Sequence, residues 1–140
     1  FPQMRIFLDA NVLVSVLNKE YPVYSYSSRV LSLVENTRFK VYTSPICLAI
    51  AFYFAEKKSR NTAKQKIGIL SGRLLISEVN EKTVREAAQN KRIHDFEDGL
   101  QYYSALESGC KIIITEDRDD FYFSELEVLS SRGFMEKFVF

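Results

Sequence analysis

Three segments of the chain carry carboxylates where chemistry can use them. Asp9 closes the short apolar run Ile6-Phe7-Leu8, which reads as a buried strand. Asp95 and Asp98 stand at the start of a helical pattern, at a spacing that puts them on one face. Asp117, Asp119 and Asp120 form an acidic turn directly after the apolar run Ile112-Ile113-Ile114. In an open α/β sheet, ligands gather outside the carboxyl ends of the strands, and two of these segments lie at such ends. Carboxylates packed together there repel one another unless a cation offsets the repulsion. A hard divalent cation such as Mg²⁺ takes oxygen ligands and retains several waters. Hydrolysis of a phosphodiester is a natural use of such a site, because a metal activates water and offsets charge on the phosphate.

Each acid also has a plainer role open to it. Asp95 reads equally as a helix N-cap, with Asp98 favoured in the first turn by the helix dipole. Asp117, Asp119 and Asp120 have the character of turn residues, and for Asp119 that is the preferred reading. Asp9 is harder to dismiss, since a charge at the end of so apolar a strand needs a partner. His94 is the only histidine, which excludes a site built on paired histidines; it reads as a surface residue ahead of a helix. Cys47 and Cys110 are too few for a disulfide framework and read as buried thiols. The aromatic groups Phe52-Tyr53-Phe54, Tyr102-Tyr103 and Phe121-Tyr122-Phe123 read as core or subunit contacts in preference to base-stacking platforms.

The elements that must position these acids follow from the hydrophobic pattern. After Asp9, Val12, Leu13, Val16 and Leu17 have helical spacing, Tyr21-Pro22 marks a break, and Ser25 to Val34 resumes a helix. Phe39 to Tyr42 alternates and reads as a second strand. Ser44-Pro45 then supplies a cap and a first-turn proline. The helix from Pro45 to Lys58 is apolar nearly all round, so a partner or homodimer surface is expected on it. A more polar helix from Thr62 to Leu70 is expected to stop at Gly72, ahead of a third strand at Leu74-Leu75-Ile76. Amphipathic Glu81 to Lys91, a helix from Asp95 to Ser108 closed by Gly109, the strand Lys111 to Ile114, a short edge strand at Val128-Leu129 and a helical tail complete the chain. Strands alternating with helices imply a three-layer α/β/α domain with a mainly parallel sheet of four to five strands.

One domain is expected over residues 4–140, with Phe1-Pro2-Gln3 as an added remnant ahead of a natural-looking Met4. Apolar residues make up 46% of the chain and charged residues 26%, and no apolar run is long enough to span a bilayer. A cytoplasmic protein without membrane contact is the expectation. The net charge of +1 conceals an asymmetry: residues 1–77 hold 11 Lys/Arg against 4 acids, and residues 78–140 hold 8 against 14. Lys57, Lys58, Arg60 and Lys64 lie in the basic half and are candidates to hold a polyanion beside an acidic metal site.

The order Leu8-Asp9-Ala10-Asn11-Val12-Leu13, then Asp95-Phe96-Glu97-Asp98, then Ile114-Thr115-Glu116-Asp117-Arg118-Asp119-Asp120-Phe121 resembles the PIN domain, and more narrowly the small bacterial PIN proteins that include VapC-type toxins. The resemblance covers essentially the whole chain from Met4. It implies a Mg²⁺- or Mn²⁺-dependent ribonuclease, paired with an antitoxin. Asp9, Asp98 and Asp117 match the family's metal-site acids, Asp120 a supporting acid, and Asn11 and Thr115 polar positions lining the pocket.

One position departs from the pattern. The family's second acid is usually a glutamate in the helix after the Thr-Ser-Pro-like start, and that position holds Ile50. Glu56, six residues further on, is rotated by about 240° and raised by roughly 9 Å along a helix, a poor substitute. Asp95 is the expected compensation from the opposing helix. The alternative expectation is a PIN-fold protein with a degraded site that binds RNA or a protein partner without cutting. A phosphoaspartate enzyme built on Asp9 is a third, weaker reading, because Asn11 stands where that chemistry usually has a second aspartate.

Overall fold

β1 (Met4–Leu8) runs through the middle of a five-stranded sheet in a computed structural model that describes residues 3–140. Of the expected leading remnant, Phe1 and Pro2 lie outside the described residues. Ile6, Phe7 and Leu8 are fully buried, as expected of a strand covered on both faces, where apolar residues run on without alternation. β2 (Phe39–Thr43) flanks β1 on one side with β3 (Leu75–Ile76) beyond it; β4 (Ile112–Ile114) and β5 (Glu127–Leu129) follow on the other. All four pairings are parallel, with Ile6 opposite both Val41 and Ile112.

The helices are α1 (Ala10–Leu17), α2 (Tyr24–Ser32), α3 (Pro45–Lys58), α4 (Arg60–Arg73), α5 (Glu81–Gln89), α6 (Phe96–Glu107) and α7 (Ser131–Phe138). α1 packs on α2 and α3, α3 on α4, and α2 on α7, while α5 packs on α6. Right-handed crossovers put these two groups on opposite faces of the sheet, completing three layers. The chain moves outward from β1 through β2 to β3, then returns across the sheet to β4. That reversal makes the gap between the carboxyl ends of β1 and β4 the topological switch point.

Local chemistry sets the helix boundaries around that gap. α3 begins where expected: Ser44 Oγ accepts from Cys47 N at 3.0 Å, with Pro45 in the first turn. α6 is capped by Asp95, whose Oδ1 accepts from Asp98 N at 3.2 Å, and the chain leaves it through Gly109 at φ +79°, a conformation glycine adopts at little cost. A Cβ on Gly99 would stand 3.0 Å from Ile93 Cγ2 and 3.2 Å from Ala87 Cβ, so this glycine sets how closely α6 approaches α5.

Three expectations about elements need correction. α4 does not stop at Gly72 but continues to Arg73; its buried Ala63 and Leu70 dock the helix, and tertiary packing overrides glycine's weak propensity. The expected helix to Val34 ends at Ser32 and tightens into a 3₁₀ turn over Leu33–Glu35. Leu74 is buried outside β3, leaving a two-residue edge strand whose Leu75 and Ile76 are exposed. No helix among the described residues is long and apolar enough to cross a membrane.

Candidate acidic site at the sheet switch point

The last residue of β1 hands the chain to Asp9, which caps α1: Oδ1 accepts from Ala10 N at 2.8 Å. Its second oxygen, Oδ2, accepts from Thr115 Oγ1 at 2.8 Å. Thr115 follows β4 directly and is fully buried, so this hydrogen bond closes the switch point from both strands. Asn11 extends the network across the gap. Its Nδ2 donates to Thr115 Oγ1 at 3.1 Å and to Asp117 Oδ2 at 3.2 Å, while its Oδ1 accepts from Glu116 N at 3.1 Å. Asp117 N donates to Thr115 Oγ1 at 3.1 Å. Asn11 and Thr115 are thus hydrogen-bonded to Asp117 and Asp9; of the two positions expected to line a pocket only Asn11 does, while Thr115 is fully buried behind Asp9.

These side chains open into a pocket of about 410 Å³ lined by Asp9, Asn11, Glu20, Glu97, Asp98, Asp117 and Asp120. Val14 from α1 and Ile50 and Phe54 from α3 form its apolar wall. The sequence-derived acids Asp9, Asp98, Asp117 and Asp120 therefore converge. Asp95, the expected compensation for Ile50, does not line the pocket; it caps α6, one turn from Asp98. Glu56 is exposed and also stands outside it. Ile50 faces the cavity, so the wall presented by α3 carries no charge.

Glu20 and Glu97 were not singled out from sequence. Glu97 was visible only as part of Asp95-Phe96-Glu97-Asp98. Glu20 is turned back by the end of α1, where Lys19 N donates to Val16 O at 3.4 Å and Glu20 N to Ser15 O at 2.9 Å. This pair of hydrogen bonds is a Schellman closure with Lys19 at φ 50° in the place glycine usually takes. Lys58 Nζ donates to Asn18 O, tying this turn to the end of α3.

The electrostatics register the convergence. Burial raises the Asp9 pKa, and the charges of Asp117 and Glu97 add to the rise against the lowering effect of Thr115 and Ala10. Asp98 is pushed up to about 7, first by desolvation and then by Asp95, Asp120, Asp9 and Glu97. Asp120, at the exposed lip, is raised by desolvation and by Asp117, Asp95 and Asp119. Burial and the Asp9 charge push Cys47 up to about 12, and its Sγ lies 3.8 Å from Asp9 Oδ1. It is a fully buried thiol behind Asp9 and does not line the pocket; both cysteines are free and buried.

In donor type the pocket fits a hard cation, being lined by carboxylate and amide oxygens. In spacing it does not yet form a ligand cage: among the described residues no three His, Cys, Asp or Glu side chains stand close enough to hold a metal ion as they are.

Residues 5–119 match the family profile of the PIN domain. The chain belongs to the PIN-domain family. A relative, ribonuclease VapC1 of Aquifex aeolicus strain VF5, is 28% identical over 137 residues, covering 95% of this chain and 94% of that protein. The crystal structure of VapBC2 from Rickettsia felis, bound to a DNA fragment from its promoter, superposes with a TM-score of 0.68 at 21% identity, covering 91% of this chain and 98% of that one. VapC20 of Mycobacterium tuberculosis, a sarcin-ricin loop cleaving toxin, gives 0.65 at 18% identity over 87% of this chain and 98% of that one. The PIN fold is thereby established, and VapC proteins are among its relatives.

The remaining sequence candidates lie outside the pocket lining, apart from Phe54. Lys57, Lys58, Arg60 and Lys64 are all exposed at the α3–α4 corner, where Lys57 Nζ sits 4.6 Å from the centroid of the Tyr53 ring. Tyr102, Phe121 and Phe123 are core residues, while Tyr53, Phe54 and Tyr122 are exposed. His94 is exposed and stacks on Tyr122, whose hydroxyl donates to Arg92 O at 2.6 Å and accepts from His94 N at 3.1 Å. This contact latches the loop before α6 onto the acidic turn.

Proposed function

We propose that this PIN-domain protein is a divalent-cation-dependent endoribonuclease of the toxin kind. The observation that carries the reading is the convergence of Asp9, Asp98 and Asp117, from three separate elements, on one pocket at the switch point. Asp9, Asp98 and Asp117 would hold Mg²⁺ or Mn²⁺, with Asp120 as a supporting acid at the lip. When bound, the cation would supply an activated water and offset charge on the phosphate.

The chain's own residues define the remaining tasks. Asn11 and Thr115 orient the carboxylates of Asp117 and Asp9. Asp95 holds the first turn of α6 and with it Asp98. Phe54 and Ile50 exclude water from one wall, and the exposed Phe54 ring offers an apolar face to a nucleobase. Lys57, Arg60 and Lys64 bind the RNA backbone beyond the pocket, with Lys58 shared between that task and its bond to Asn18 O. The likeness to ribonuclease VapC1 supports an RNA substrate, and the likeness to VapBC2 supports an antitoxin partner. The exposed Tyr53 of α3 is assigned to a homodimer or partner contact. An RNA substrate puts the work in the cytoplasm.

A second reading rests on a specific observation. Ile50 and Phe54 leave the α3 wall uncharged, and the acids are not spaced as a cage, which favours a PIN-fold protein that binds RNA or a protein without cutting. RNA cleavage by the purified protein decides between them, run with Mn²⁺, with chelator and with Asp98→Asn. Cutting that disappears in both controls supports the nuclease; metal-independent RNA binding without cutting supports the second reading.

A further inference from the structure

The loop from Asn90 to His94 meets the acidic turn after β4 in an exposed aromatic contact outside the pocket lining. The His94 ring stacks on Tyr122 at a centroid distance of 5.7 Å and an interplanar angle of 27°, and both residues are exposed. The loop beneath the stack is firmly braced. The Asn90 carbonyl accepts from Ile93 N at 3.1 Å, its Oδ1 accepts from Arg92 N at 3.0 Å, and its Nδ2 donates to the Tyr103 hydroxyl at 3.0 Å. The Tyr122 hydroxyl completes the latch through Arg92 O and His94 N. None of these bonds uses the His94 imidazole, so the latch needs the backbone of His94 and not its ring.

We propose that the His94 ring, backed by Tyr122, is a stacking platform for an unpaired nucleobase of the RNA strand whose phosphate enters the acidic pocket. The proposal rests on the RNA-substrate reading of the chain. Its placement is the first support: Asp95 follows His94 and caps the helix carrying Asp98, Asp120 stands two residues before Tyr122, and Asp98 and Asp120 line the pocket. The stack thus flanks the pocket on its α6 side, whereas Phe54 belongs to its α3 side. Charge is the second. Lys91 and Arg92 are exposed and, unlike Lys82, Arg85, Arg132 and Lys137, form no ion pair among the described residues. Free cations beside an exposed ring suit a single strand, with the backbone on the cations and a base on the π face. Asp95, Asp119 and Asp120 repel a phosphate from the ring itself, a penalty that a neutral base does not carry. The plainer role is a surface ring packed on the latch, which would act on the loop and not on RNA.

The test is binding of a labelled single-stranded RNA of about ten nucleotides to the full chain, His94→Ala and His94→Phe. Fluorescence anisotropy is read with chelator and with Ca²⁺, with the RNA checked for integrity on a gel, and repeated with RNAs carrying one abasic position at a time. Melting temperatures of all three proteins are recorded. The expected result is that one abasic position weakens wild-type binding by on the order of 5–100-fold. His94→Ala should lose a similar factor on intact RNA and become indifferent to that position, while His94→Phe restores both affinity and sensitivity. The melting temperature of His94→Ala should stay near wild type, because the latch keeps its bonds. Wild-type affinity in His94→Ala, or an abasic penalty that persists in it, overturns the inference and leaves the RNA reading standing. A loss that comes with a lowered melting temperature and is not restored by His94→Phe assigns the ring to loop packing and also overturns it. No RNA binding by the wild type in either buffer overturns the RNA reading and the inference with it.

Discussion

At Asp98 the demands of folding oppose the cation-holding role proposed for it. Its folded pKa is raised from 3.8 to about 7, so between these values the folded state holds a proton that the unfolded chain releases. Stability therefore falls as pH rises from about 4 to about 7 and levels off above, the reverse of the usual carboxylate behaviour. The raised pKa of Asp9 acts in the same direction. The metal-free protein is expected to melt higher at pH 5.5 than at pH 8, by on the order of a few degrees, as read by calorimetric scans. Asp98→Asn should shrink that difference and raise the melting temperature at pH 8, while taking metal-dependent cleavage to background. A flat profile in the wild type would show that the pocket carboxylates are better solvated than their packing implies. Asn11→Ala, which removes the bridge to Thr115 and Asp117, should weaken Mn²⁺ binding by about 10–100-fold, measured by titration, with a much smaller effect on folding.

At the level of elements, helix ends aim the site. Ser44 caps α3 and its hydroxyl also donates to Gln101 Oε1 on α6, where both residues are buried. Gln101 Nε2 already lacks a partner, so Ser44→Ala would leave the second amide atom unpaired as well. Losing the cap and that bond should cost about 2 kcal/mol, checked by urea unfolding. Gly99→Ala tests the close approach of α6 to α5. The added methyl must displace Ile93 or Ala87, costing on the order of 1–3 kcal/mol in the same assay and moving Asp98 with the helix. The α3–α4 pair was legible in part: Ser44-Pro45 marked the start of α3, but Gly72 misled about the end of α4, because burial of Ala63 and Leu70 is a property of the packed helix pair.

Across the whole molecule, the charge asymmetry of the chain takes on a spatial meaning. Lys57, Lys58, Arg60 and Lys64 gather at one corner, and Phe54, one turn back along α3 from Lys57 and Lys58, lines the acidic pocket. On the proposed function, a polyanion held by the basic corner would run along α3 to that pocket. RNA affinity should fall steeply with salt, and a Lys57→Ala/Arg60→Ala/Lys64→Ala variant should reduce the slope of log K against log salt by roughly 0.7 per lost phosphate contact. Filter binding or fluorescence anisotropy over a salt series reads this directly; an unchanged slope would place the RNA elsewhere. Lys58 is left out because its bond to Asn18 O makes its removal a structural change.

The sequence by itself determined the sheet and the candidate acids, for a physical reason: both are written in local patterns. Uninterrupted apolar runs such as Ile6-Phe7-Leu8 and Ile112-Ile113-Ile114 mark strands buried on two faces, and a carboxylate after each marks the end where ligands gather. Caps at Ser44 and Asp95 and the stop at Gly109 are likewise local. What only the tertiary structure decided is which side chains share a cavity. Glu20 enters the pocket through a left-handed turn at Lys19, Ile50 faces the cavity from α3, Glu97 joins it from α6, and Asp95 and Glu56 stay outside. Those placements depend on the packing of α1 against α3 and of α6 against the sheet, and no spacing along the chain encodes a distance between elements that meet only after folding.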